Sequence, residues 1–304
     1  MHITTRGIVS IVQIVVYLPL IALALVLVFR HGFSRESGWI FLAIFSLIRI
    51  VGAALILILE NESSPSSNLV TASSIVVSIG LTPLLFAVMG FLTIVAQRSP
   101  SLHMIRSKSI FYRLLHLAIT AGLILSVVSA TKLTSSSSTS SDISQANNFR
   151  KIAGFIFTGA YLILVALHLF CWMNKSQVLY HRRKLLLGLS CAVPFVGVRV
   201  AYTLIGSLQS FTSNFSPING SIVLYVAMSV AMEFIAIFIY VVVGISIPTD
   251  IDSDKEQILE EQIPFQAYGQ PYAGQQYTLP QYDGRQQYTG LVTGQQYTSV
   301  LPAR

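Results

Sequence analysis

Seven long apolar runs, parted by short polar and basic stretches, set the pattern of this chain: residues 8–29, 39–59, 69–96, 111–131, 152–173, 185–208 and 221–247. An α-helix rises about 1.5 Å per residue, so about 20 apolar residues cross a hydrocarbon layer of about 30 Å. Each run therefore predicts a transmembrane helix, and the fold class expected is an all-α membrane protein of seven spans. Residues 1–247 form that domain. From Pro248 to Arg304 the composition turns to Gln, Tyr, Gly and acids, with QQYT recurring at 275–278, 286–289 and 295–298. Such a segment cannot bury enough apolar surface to fold, and it reads as a disordered tail.

Charge sets the orientation. Lys and Arg in short loops are retained on the cytoplasmic side. With the N-terminus outside, Arg30, Arg35, Arg98, Arg106, Lys108, Arg113, Lys175, Arg182, Arg183 and Lys184 lie inside, against Arg6, Lys132, Arg150 and Lys151 outside. The tail is then cytoplasmic. The net charge is +11 through Ile247 and −4 beyond it. The basic residues flank spans rather than forming a solvated patch, so no nucleic acid is expected as a partner. The location expected is the plasma membrane or a secretory-pathway endomembrane, with membrane lipids as neighbours. The first run is too long for a signal-peptide core, and its basic flank is on the wrong end for one. The longest outer loop, the Ser-rich stretch around Ser135 to Ser141, lacks apolar residues to fold alone.

Some chemistry is excluded early. Cys171 and Cys191 offer no disulfide framework. The six histidines show no metal-ligand spacing, so neither a metal nor another cofactor is expected. No catalytic residues are indicated and no enzyme is expected. His116 and His168, near the cytoplasmic ends of their spans, read as snorkelling side chains, and Pro19, Pro83 and Pro194 as kink sites.

An internal repeat runs through the pattern. Tyr161-Leu-Ile-Leu-Val-Ala-Leu-His-Leu169 lies over Tyr17-Leu-Pro-Leu-Ile-Ala-Leu-Ala-Leu25, Phe195-x-x-Val198-Arg199-Val200 over Phe45-x-x-Ile48-Arg49-Ile50, and Ser221-Ile222-Val223 over Ser74-Ile75-Val76. Spans one to three and five to seven would then be parallel copies joined by span four, a 3+1+3 plan known among transporters.

Three charges fall near mid-membrane: Arg49, Arg199 and Glu233. Each costs about 2.5–3.5 kcal/mol at the centre of a bilayer and should face the interior with a partner. Arg49 shares a helix face with Ser46, Gly52 and Ala53, and Arg199 with Gly188, Ala192 and Gly206. Glu233 stands on a stripe with Tyr225, Ser229 and Tyr240. With Tyr202 these residues make the candidate polar centre. Two readings stand: a site for an anionic group held by the surplus positive charge, or an ion triad that fixes helix packing. In the tail, Leu279-Pro280-Gln281-Tyr282 is a variant of the motifs that dock on WW domains, which would bring a cytoplasmic adaptor or ubiquitin ligase. The alternative is a solvated low-complexity segment.

The run from Arg30 through Trp39, Arg49 and Gly52 resembles a family of fungal seven-span proteins known as a domain of unknown function. The resemblance covers about residues 5–247 and supplies no functional residues. By the sequence, a transporter-like protein handling a small or lipidic molecule, an anion being one case, is expected first. The alternative is a seven-helix receptor or sensor resembling G-protein-coupled receptors, although no Asp-Arg-Tyr ends span three and no Asn-Pro-x-x-Tyr lies in span seven. A cavity between spans two, six and seven, open to either side, would favour transport, and one open only outward, with a cytoplasmic cleft able to take a partner helix, would favour reception.

Overall fold

The computed structural model describes residues 4–31, 38–62, 66–96, 105, 109–134, 139–178, 180–209, 220–247, 291–292 and 295–296. Contacts divide the chain into two units, residues 1–256 and 257–304. In the second, the described residues are a two-residue antiparallel pair, β1 (Leu291–Val292) and β2 (Gln295–Gln296), with Leu291 opposite Gln296. The motif residues Leu279, Pro280 and Tyr282 lie outside the described residues, as does most of the predicted disordered tail.

The first unit is helical, with seven helices long and apolar enough to cross a membrane. Span one is α1 (Thr5–His31) and span two α2 (Gly38–Asn61). Span three is α3 (Ser67–Ile79) and α4 (Leu81–Ala96), and span four is α5 (Ile110–Thr134). Span five is α6 (Ser140–Met173) and span six α7 (Tyr180–Leu208). Span seven is α8 (Ile222–Tyr225), a π turn (Val226–Val230) and α9 (Ala231–Ser246). Large apolar side chains are exposed along the outsides of these helices, among them Val15, Leu18, Leu47, Leu117, Phe155, Leu162 and Phe238. Water would oppose so much exposed apolar surface, whereas lipid solvates it. The chain is a polytopic membrane protein.

Each span packs on its neighbours in chain order, and span seven returns to span one. Span three also touches spans five and six, and it is the most buried of the seven. Its second half, α4, is buried at every position but Ile94. Trp39 and Tyr240 pack against Phe91 there, at 4.6 and 4.8 Å between ring centroids.

The ends of the spans are fixed by specific contacts. Arg182 donates from Nη1 to the Ile94 carbonyl (2.9 Å), and Arg30 donates to the Ile245 carbonyl (3.0 Å). These arginines cap the last, otherwise unpaired, carbonyls of spans three and seven. Span three breaks at Gly80 because Pro83 has no N–H to give the Ile79 carbonyl four residues back. The helices run unbroken through Pro19 and Pro194.

The Ser-rich loop is shorter than its composition predicts. Thr139 is an N-cap and forms a capping box with Asp142, so Ser140 and Ser141 already belong to α6. Lys132 reaches Asp142 (3.0 Å), and the Ser129 hydroxyl donates to the Ala146 carbonyl (2.8 Å), tying this extension to span four. At 34 residues, α6 is about 51 Å long, so its first turns stand clear of the hydrocarbon. His168 also departs from expectation: it is buried, and its Nε2 lies 3.0 Å from Ser190 Oγ between spans five and six. It does not snorkel. His116 is exposed, and its ring stacks on Phe86.

Candidate functional site

Span two brings Arg49, span six Arg199 and span seven Glu233 to one point. The three are 5%, 6% and 0% exposed. Arg49 Nη2 and Arg199 Nε both donate to the same carboxylate oxygen, Glu233 Oε1. Two guanidiniums on one carboxylate leave one positive charge in surplus, far from water. The expected convergence of these three residues is what the structure shows.

Small neighbours make the room. A Cβ on Gly80 would lie 2.6 Å from Arg49 Nη2, so the break in span three is also where the Arg49 guanidinium passes. Gly52 meets Val76 of span three and Gly188 meets Val243 of span seven. Ser46, Ala53, Ala192 and Gly206 are buried on the same faces. Aromatic faces complete the cradle: Arg49 lies over the Phe45 ring at 5.2 Å and Arg199 over Tyr202 at 5.6 Å.

Arg199 has a second side. Its Nη1 donates to Thr203 Oγ1 (2.5 Å), and both residues line a cavity of about 100 Å³ between spans three, four, five and six. Ser74, Ser78, Ser126, Ser129, Thr134 and Ser207 give hydroxyls to its walls, and Arg150 lies on its rim. No acid is among the described lining residues. These residues come from the starts of spans three and five and the ends of spans four and six. That is the end of the bundle carrying the N-terminus, the outer end by the charge rule. Gly154 faces Ser207 so closely that a Cβ would collide with its hydroxyl.

The cavity lies on the span-three side of Arg199 rather than between spans two, six and seven, where Glu233 holds span seven against both arginines. Of the remaining predicted residues, Tyr202 lines the cavity, whereas Tyr225 lines two smaller hollows on the other side of the centre. Ser229 is fully buried in the π turn. Tyr240 stands two turns further in, against Phe91, and belongs to the packed inner core.

Sequence reasoning passed over Ser74 and Ser78, Ser126 and Ser129, and Thr203 and Ser207 with Arg199. Their signal was present as polar residues three or four apart on otherwise apolar helices. It also passed over Gln13 and Tyr17, which are buried. Among the described residues no group of His, Cys, Asp and Glu could hold a metal ion.

Residues 3–250 match a family described as a domain of unknown function (DUF7702), and the chain belongs to that family. No curated protein and no solved structure matches it.

Proposed function

We propose that this DUF7702 protein is a seven-helix receptor or sensor that takes a compact anionic molecule into its outer cavity. The observation that carries the reading is that the cavity ends on Arg199, while the inner half of span three below it is packed solid. A guanidinium at the floor of a hollow whose described lining carries hydroxyls and no acid attracts a carboxylate or phosphate. The surplus charge of the centre adds to that attraction, and electrostatic terms grow where water is scarce. Packing of spans in chain order around a buried third span fits a protein that passes on a change of helix arrangement. The fungal source and the N-out topology implied by the sequence belong to the same reading.

A transporter is the second reading, and one observation favours it. Spans three and seven are both interrupted, at Gly80 and at Val226–Val230, close to the charged centre. Interrupted helices in corresponding positions of two halves mark substrate sites in transporters.

The test is thermal unfolding of the full-length protein in neutral detergent with acetate, succinate or inorganic phosphate, against acetamide. Anions should stabilise the protein and acetamide should not. Arg199→Gln should remove the effect, and Lys151→Gln, an exposed residue, should leave it. Equal stabilisation by acetamide would refute the anion site. Uptake of the stabilising anion into proteoliposomes would decide for transport over reception.

A further inference from the structure

The side of the charged centre away from the cavity carries a second polar feature. Arg6, Ser10, Gln13 and Tyr17 follow each other at helical spacing on one face of span one. Ser10, Gln13 and Tyr17 are 2%, 4% and 1% exposed, on a helix whose opposite face meets lipid. Arg6 marks the outer rim, where it donates to the Gly220 carbonyl (2.7 Å). At the inner end Tyr17 lies within electrostatic reach of Glu233, Arg49 and Tyr225.

Besides Tyr240 OH further along span seven, five buried polar atoms of spans one, two and seven have no hydrogen-bond partner: Gln13 Nε2, Tyr17 OH, Arg49 Nε, Ser229 Oγ and Glu233 Oε2. A buried polar group left unpaired costs about 1–3 kcal/mol, more when charged, and native proteins leave few. Donors and acceptors are both among the five, so one small molecule that gives and takes hydrogen bonds would serve them. Two hollows lie beside the stripe. One, of about 10 Å³, is lined by Gln13, Arg49 and Tyr225, and the other, of about 20 Å³, by Arg6, Ser10 and Tyr225. Ile56 and Tyr225 border both. Each has room for about one water molecule, and each offers the polar partners that a buried water needs.

We infer that spans one, two, three and seven enclose a file of ordered waters running from Arg6 at the outer rim to the Arg49 guanidinium and the Oε2 face of Glu233. The inference stands without the anion cavity, which lies on the other side of Arg199. It also bears on how that cavity could act. Glu233 turns Oε1 toward two arginines and Oε2 toward water, so loss of its bond to Arg199 leaves the carboxylate still solvated and still paired with Arg49. A dry centre would resist that exchange.

The experiment is X-ray radiolytic hydroxyl-radical footprinting of the full chain in lipid nanodiscs, with H₂¹⁸O exchange to identify oxygen taken from internal water. Tyr17, 1% exposed, should be modified several-fold faster than Tyr240, which is 0% exposed and packed against Phe91, and Tyr225, 8% exposed, faster still. A second measurement fixes the sign. Gln13→Leu and Ser229→Ala should lower the unfolding temperature by breaking water bridges, whereas in a dry interface the same changes would remove unpaired groups and raise it. Labelling of Tyr17 and Tyr225 no faster than Tyr240 would overturn the water file, as would a raised unfolding temperature in both variants. Neither result depends on whether an anion binds.

Discussion

Removing the charge of Glu233 is the most informative single change. The residue is fully buried, and its Oε1 is the common acceptor for Arg49 and Arg199. Glu233→Gln keeps the shape and strands two guanidiniums in a low-dielectric interior. Breaking one buried ion pair costs about 3–5 kcal/mol. At about 2–4 °C per kcal/mol for a domain of this size, the unfolding temperature should fall by about 6–20 °C. The loss should be repairable from outside, because Arg199 also forms the floor of the outer cavity. Acetate or phosphate entering there takes the place of the missing carboxylate, so the variant should bind these anions more tightly than the wild type does. The assay is thermal unfolding of Glu233→Gln across an anion series, with acetamide as the uncharged match and Glu233→Gln/Arg199→Gln as the variant that lacks the receiving cation. Replacing all three charges by apolar residues of similar size should return the stability and abolish the anion response, since an apolar cluster serves packing as well as a buried triad does. A Glu233→Gln protein that is destabilised but gains nothing from anions, or equally from acetamide, would show that Arg199 receives no anion from the cavity and that the triad serves packing alone.

Other outcomes follow from single contacts. Gly80→Ala puts a methyl 2.6 Å from the Arg49 guanidinium and should cost about 1–3 kcal/mol in detergent unfolding, whereas Gly159→Ala, with nothing within 4 Å, should cost nothing. Thr139→Ala removes the cap of α6 and should cost about 0.5–2 kcal/mol, read in the same assay. A reporter fused after Arg304 should be cytoplasmic, and Asn174 of the Asn-Lys-Ser sequon should stay unglycosylated on a gel-shift assay. Deleting residues 255–304 should leave insertion intact and change turnover, and Tyr282→Ala should lengthen surface residence if the WW motif is used.

Hydrophobic runs made the seven spans legible, since a membrane span needs only length and apolarity and both are local. Their ends were less legible, because arginine caps at Ile94 and Ile245 and the Thr139 capping box are contacts rather than compositions. The triad was legible because a mid-membrane charge has few ways to be satisfied. The cavity was not. Its hydroxyls come from three helices, and some are satisfied within their own: Ser74 donates to the Val70 carbonyl and Ser78 to the Ser74 carbonyl, with no need of a neighbour. His168 was misread for a related reason, as its partner Ser190 is 22 residues away on the next span.

The π turn of span seven carries a last prediction, because it decides which way Tyr225 and Glu233 point. An ideal α-helix turns about 100° per residue, which would leave these two residues, eight apart, about 80° from a common face. A π turn advances only about 82° per residue, and five such residues followed by three α residues bring Tyr225 and Glu233 to within about 10° of each other. The one extra residue thus lets Tyr225 line the hollows beside Arg49 while Glu233 holds both arginines. It falls where the repeat would put it: Ser221 stands over Ser74, so Ala227, inside the π turn, stands over Gly80, where span three breaks. Deleting Ala227 restores the α register. Glu233 is anchored by two ion pairs, so the segment from Ile222 to Tyr225 must rotate instead and carry Tyr225 away from the hollows. The deletion should therefore leave the anion response at Arg199 intact, lower the unfolding temperature, and reduce radiolytic labelling of Tyr225 to the level of Tyr240. Unchanged Tyr225 labelling and unchanged stability would mean that the turn plays no part in aligning the two residues.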